Sequence, residues 1–118
     1  MKYFSMFSGI GGFEIPLQEL NFECVGFSEI DKYAISVYQK HFPTHTNFGD
    51  ATKIIPSDLP DLDFLCGGFP CQAFSVAGRR QGFDDTRGTL FFDIARILRE
   101  KRARLLLLTS DTNWGFWL

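Results

Sequence analysis

The stretch Cys66-Gly67-Gly68-Phe69-Pro70-Cys71-Gln72-Ala73-Phe74-Ser75 holds the residue types best suited to covalent chemistry. Free cysteine has a pKa of about 8.5 and is only a few per cent thiolate at neutral pH, yet it is intrinsically very nucleophilic. Phe64-Leu65-Cys66 reads as a buried strand, two glycines break it, and Pro70 fixes the backbone angle just before Cys71. Cys71 is therefore expected on a stiff turn at a strand end, where open α/β sheets place their ligands. An ordinary Gly/Pro loop fits the same residues, so the rest of the chain has to decide between the two.

A second stretch has the makings of a nucleotide-type cofactor site. Residues 2–7 look like a buried first strand, Ser8-Gly9-Ile10-Gly11-Gly12 follows at once, and Phe13 to Leu20 carry apolar residues near helical spacing, with Pro16 within the first turn or so. Glycines let a backbone approach a ligand closely, and the helix N-terminus then faces it. The loop lacks the G-x-G-x-x-G fingerprint, which argues against a nicotinamide or flavin enzyme. A second strand, Glu23 to Ser28, ends at Glu29, about 20 positions beyond the loop, where such folds hydrogen-bond a ribose. Glu29 also precedes a helix over Asp31–Lys40, so a helix-terminal charge is a second reading, and both can hold at once. Thr46-Asn47-Phe48 is a candidate short third strand closed by Gly49-Asp50, which puts Asp50 at a strand end like Glu29. His41 and His45 flank Pro43 and read as loop and capping residues rather than ligands or bases.

The elements that must position these residues alternate along the chain. A brief helical turn is expected at 51–55, a fourth strand at Asp63–Cys66, an amphipathic helix at Gly88–Leu98 with Leu90, Ile94, Ile97 and Leu98 on one face, and a fifth strand at Arg104–Thr109. The loop from Ala77 to Arg87 is long by loop statistics and so expected to be functional. Alternation predicts an α/β fold with a parallel sheet and helices on both faces, and right-handed crossovers with one reversal give the order 3-2-1-4-5. Glycine loop, Glu29, Asp50 and the Cys71 turn then share one edge of the sheet, which favours a functional Cys71.

Composition bounds what such a domain can do. The 118 residues suit one domain with a single core. Fourteen phenylalanines, several beside glycines, suggest a tightly packed sheet with aromatic loop walls. Three cysteines, with Cys66 and Cys71 spaced C-x4-C and no second pair, argue against disulfides and structural metal; no metal site is expected. No run approaches the ~20 apolar residues of a membrane span, and the start carries no signal-peptide pattern, so a cytoplasmic location is expected. Net charge is −2, which does not advertise nucleic-acid binding. Eight of the twelve basic residues lie after position 78, a bias read as a solvated helix face ahead of a phosphate-facing side.

Together these residues resemble the N-terminal part of the DNA (cytosine-5)-methyltransferases over about residues 2–108. Phe7-Ser8-Gly9-Ile10-Gly11-Gly12-Phe13 is similar to that family's S-adenosylmethionine loop, Glu29 to its ribose-holding acid, and Asp50 to its adenine-contacting aspartate. Gly68-Phe69-Pro70-Cys71-Gln72 resembles its Pro-Cys-Gln nucleophile motif, and Gly88-Thr89-Leu90-Phe91 the next cofactor-side motif. The resemblance implies a Rossmann-like S-adenosylmethionine-dependent fold, with cofactor contacts from Phe7, Ser8, Gly9, Ile10, Gly11, Gly12, Glu29, Ile30, Asp50, Ala51, Pro70 and Leu90. It implies double-stranded DNA as substrate, met by Gln72, Ser75, Arg79, Arg80 and Gln81, in a restriction-modification setting. Cys71 would add to C6 of a flipped cytosine, C5 would take the methyl group, and loss of the C5 proton and the thiolate would restore the ring.

The same resemblance exposes departures. The family pattern calls for Glu-Asn-Val after the fifth strand, where this chain has Leu108-Thr109-Ser110-Asp111-Thr112-Asn113. The Arg-x-Arg motif, the target-recognition domain and the C-terminal helix have no counterpart, and residues 109–118 form an atypical tail. The expected division is thus a partial catalytic domain over 1–108, with a sheet incomplete at its C-terminal end, plus that tail. A fragment, a frameshifted reading frame or one half of a split enzyme, with a second chain supplying the missing parts, all fit, and the chain is expected to be inactive alone. A non-catalytic S-adenosylmethionine-binding module is the alternative; a nicotinamide-dependent oxidoreductase would leave Pro70-Cys71-Gln72 unexplained.

Overall fold

The computed structural model describes residues 1–68, 88–109 and 114–117. Strand β1 (Lys2–Met6) is followed by the glycine loop and a short helix α1 (Glu14–Glu19), then β2 (Glu23–Ser28) and α2 (Lys32–His41). Two 3-10 turns (Ala51–Lys53 and Pro56–Asp58) lead to β3 (Phe64–Gly68); helix α3 (Gly88–Lys101), β4 (Leu105–Thr109) and β5 (Trp114–Trp117) complete the order.

The sheet runs β2-β1-β3-β4-β5; its first four strands are parallel and β5 pairs antiparallel with β4. β1 lies between β2 and β3, which is why Tyr3 through Met6 are buried on both faces rather than alternating. Successive side chains point to opposite sides. Phe4 and Met6, with Leu65 and Leu106, meet Ile94 and Ile97 of α3 and Ala51, Ile54 and Leu59 of the connecting segment. Tyr3, Phe64 and Cys66 turn the other way, against Leu17 of α1. On α2, Tyr38 stacks on Phe27 at 3.8 Å between ring centres, with Phe42 beside them. Asp31 caps α2, its carboxylate accepting the Ala34 N–H at 2.8 Å.

The parallel sheet with helices on both faces is as expected, with two corrections at its margins. The third strand shrinks to a single bridge between Phe27 and Asn47: Phe27 N–H donates to Thr46 O (2.9 Å) and Phe48 N–H to Phe27 O (2.7 Å). It stops there because the Asn47 amide is turned onto the following backbone and Gly49 adopts a left-handed φ of 79°. At the other margin the stretch expected as a tail contributes β5, which extends the sheet past β4. None of the described helices is long and apolar enough to cross a membrane.

Candidate cofactor-binding site

The parallel strands deliver their C-terminal ends to one edge, and the loops that leave them form the candidate site. After β1 the chain turns sharply, with left-handed φ at Phe7 (52°), Gly9 (62°) and Gly11 (95°). Only glycine takes such angles without strain, and at Gly11 a β-carbon would also meet the Tyr38 ring at 3.0 Å and the Phe42 ring at 3.1 Å. The turn is pinned to β2: Ser8 N–H donates to Ser28 O (3.1 Å) and Phe7 N–H to Ser28 Oγ (3.3 Å).

Glu29 is the hub of this edge. Its Oε1 accepts the Gly9 N–H at 2.8 Å, while Oε2 accepts the N–H groups of Ile30 (3.1 Å) and Asp31 (2.9 Å). The carboxylate thereby ties the glycine loop to the start of α2, which is the helix-terminal reading of Glu29. Asp50 sits at the head of the first 3-10 turn, where its Oδ1 accepts from the Thr52 hydroxyl (2.7 Å) and the Thr52 N–H (2.9 Å). Those bonds, the hydroxyl foremost, hold its carboxyl below the usual aspartate range, so it is a carboxylate at neutral pH.

Between these loops lies a cleft of about 570 Å³ lined by Phe7, Ser28, Glu29, Ile30, Gly49, Asp50, Ala51, Thr52 and Gly68. Five expected cofactor residues line it: Phe7, Glu29, Ile30, Asp50 and Ala51. Ser8, Gly9, Ile10, Gly11 and Gly12 do not; they form the adjoining turn, with Ser8 and Gly11 buried and Ile10 exposed. Gly68, which ends β3 three residues before Cys71 in sequence, does. Pro70, Cys71, Gln72, Ser75, Arg79, Arg80 and Gln81, the 77–87 loop and the Leu90 side chain lie outside the described residues, as does Asp111.

Three residues that sequence reasoning passed over organise the surroundings. Asn47 bonds to both the Glu29 and the Gly49 backbone. Glu14, fully buried at the start of α1, accepts from the Tyr38 hydroxyl (2.9 Å), which also meets His45 Nδ1 (2.8 Å). Burial pushes the Glu14 carboxyl up and the His45 imidazole down. Arg96 of α3 donates to the carbonyls of Ile54 and Ala51 and pairs with Asp93 at 3.1 Å. Lys101 likewise turns in, to Leu59 O at 2.8 Å, so the solvated-face reading of the basic run holds for Arg99, Arg102 and Arg104 but not for these two. Of the other cysteines, Cys66 is fully buried and Cys24 only half-buried, its thiol on Gly26 O at 3.4 Å; burial raises both thiols.

A parallel sheet with helices on both faces and a glycine turn after its first strand defines the Rossmann-like class of α/β folds. Within it, the fold is similar to that of a Spodoptera frugiperda DNMT2 variant (TM-score 0.69, 25% identity, 92% of this chain and 35% of that one). The Entamoeba histolytica methyltransferase EhMeth superposes with a TM-score of 0.74 at 18% identity, over 93% of this chain and 38% of that one, a likeness of fold alone. The chain belongs to the C-5 cytosine-specific DNA methylase family, whose model matches residues 1–108. It is 46% identical over 115 residues to the type II methyltransferase M.HhaI of Haemophilus parahaemolyticus, covering 98% of this chain and 35% of the relative. To the type II methyltransferase M1.ScrFI of Lactococcus lactis subsp. cremoris it is 51% identical over 113 residues, covering 95% of this chain and 29% of the relative. The chain thus spans about a third of the length of these curated relatives.

Proposed function

We propose that this chain is the cofactor-binding and nucleophile-bearing part of a DNA (cytosine-5)-methyltransferase, and that its cleft takes S-adenosylmethionine. The observation that carries this reading is the pair of carboxylates, Glu29 and Asp50, on one cleft beside the glycine turn. A volume of about 570 Å³ suits a nucleoside-sized ligand, and the lining mixes apolar Phe7, Ile30 and Ala51 with a few polar groups, as ligand pockets do. Glu29 would hold a ribose hydroxyl and Asp50 the adenine amino group. Glu29 already satisfies three backbone N–H groups, so it would meet the ribose with the one lone-pair site left on Oε1, its orientation set in advance. The bound cofactor would supply a methyl group on a sulfonium.

Cys71 is proposed as the nucleophile toward C6 of cytosine, on the strength of its motif, with Gln72, Ser75, Arg79, Arg80 and Gln81 toward DNA. The isolated chain is proposed to bind cofactor without turning over. Calorimetric titration with S-adenosylmethionine tests the site. Glu29→Ala and Asp50→Ala should each weaken binding at least about tenfold, in line with one lost hydrogen bond to a charged group. Affinity unchanged in both variants would remove them from the site.

A further inference from the structure

We propose that Asn47 is a positioning residue for the nucleoside half of the ligand, holding Glu29 and Asp50 at their mutual spacing without touching the ligand itself. The proposal rests on the cofactor reading of the cleft.

The two carboxylates come from loops that share no strand, since the third strand is reduced to one bridge. Among the described residues, a single side chain joins them by hydrogen bonds. Asn47 Oδ1 accepts the Glu29 N–H (3.2 Å) and the Gly49 N–H (2.8 Å), and Nδ2 donates to Glu29 O (3.2 Å). Its amide orientation is fixed by chemistry, because two N–H donors face one end and a carbonyl faces the other. On one side it grips the backbone of the residue whose carboxylate lines the cleft. On the other it grips the residue just before Asp50, at a left-handed φ of 79°. Asn47 is half-buried and lines no part of the cleft, so its influence runs through the two backbones. Two ladder bonds hold the bridge itself, Phe27 N–H to Thr46 O (2.9 Å) and Phe48 N–H to Phe27 O (2.7 Å); beyond it the three side-chain bonds of Asn47 carry the spacing on to Glu29 and Gly49.

The test is a double-mutant cycle read by titration with S-adenosylmethionine, on the 118-residue chain. Asn47→Ala should weaken binding about tenfold, the size of two or three modest hydrogen bonds. Asn47→Asp keeps both acceptor bonds and should lose only about threefold, as for one such bond. In an Asp50→Ala background the Asn47→Ala loss should shrink, because one of the two groups it positions is gone. Binding by Asn47→Ala within twofold of the parent, or an equal loss in both backgrounds, would overturn the proposal. If Asn47→Ala does not fold, Asn47→Asp carries the same cycle. Amide hydrogen exchange without ligand gives an independent reading. The Gly49 and Glu29 amides should exchange faster in the Asn47 variants while those of β1 do not, and unchanged protection would equally refute the coupling. A parent chain that binds no S-adenosylmethionine would refute the cofactor reading instead, and the exchange measurement would still decide whether Asn47 joins the two loops.

Discussion

Among single residues, Glu14 departs furthest from its sequence appearance. In the sequence it is an acidic residue at a helix start, a common and favourable place. In the structure it is 0% exposed, with one oxygen on Tyr38 and Oε1 without a hydrogen-bond partner. Burial raises its pKa above the unfolded value, so the folded state holds the proton more tightly. The sign follows: stability is greatest below the unfolded pKa and falls as pH rises through the folded one. Glu14→Gln should therefore resist urea better than the parent at pH 8, with the gap closing towards pH 4. His45 works in the opposite sense, its lowered pKa costing stability as pH falls below about 6.5. A His45→Gln background removes that term from the comparison. Thiol reactivity gives a second check at this scale. A thiol reagent on the native chain should label Cys71 first and Cys24 slowly, and Cys66 only after denaturation, since Cys66 is fully buried and its thiol pushed up. Glu29 and Asp50 were legible in the sequence because strand ends announce themselves by glycine and charge. Asn47, Glu14 and Arg96 were not, because their roles lie in long-range bonds that leave no periodic trace.

Element boundaries were legible where hydrophobic period and caps agreed. Asp31 capping α2, the Ala51–Lys53 turn and the extents of β1 and β2 lie within a residue or two of expectation. Thr46-Asn47-Phe48 has strand-like composition, yet the third strand is reduced to one bridge because Asn47 turns its amide onto the Gly49 N–H. The segment after it is instead held by α3. Arg96 reaches from that helix to two carbonyls flanking the first 3-10 turn, and its partner Asp93 is only 8% exposed. Arg96→Ala would leave two carbonyls and a buried carboxylate without their cation, so it should cost about 2 kcal/mol in urea unfolding. Arg96→Lys should recover only part of this, since one ammonium cannot reproduce the guanidinium fork. Equal stability of parent and Arg96→Ala would mean that α3 is held by Ile94 and Ile97 packing and the Lys101 bond to Leu59 O, without help from Arg96.

For the molecule as a whole, the expected outcome is binding without turnover. The glutamate of the family pattern is not found after Leu108, and a general acid is worth about 10²–10⁴ in rate. Specific DNA interfaces also bury on the order of 1,000 Å² or more of protein, and a net charge of −2 offers no substitute through phosphate attraction. Tritiated-methyl incorporation into mixed-sequence DNA by this polypeptide alone should stay near background; turnover within tenfold of a full-length relative would overturn that. The position of β1 has a further consequence, for the order in which the sheet assembles during synthesis. β1 leaves the ribosome before any other strand of this sheet, yet it is flanked on both sides, and its pairing with β3 joins Tyr3 to Phe64. At elongation rates of about 5–20 residues per second, one edge of β1 stays open for several seconds after it emerges. β2, α1 and then the connecting segment with Ala51, Ile54 and Leu59 can shelter it meanwhile, but the cover over Phe4 and Met6 is completed only by Ile94 and Ile97 of α3. Closure is thus a late event set by β3 and α3, and an arrested nascent chain lacking them should expose β1 to chaperones and proteases.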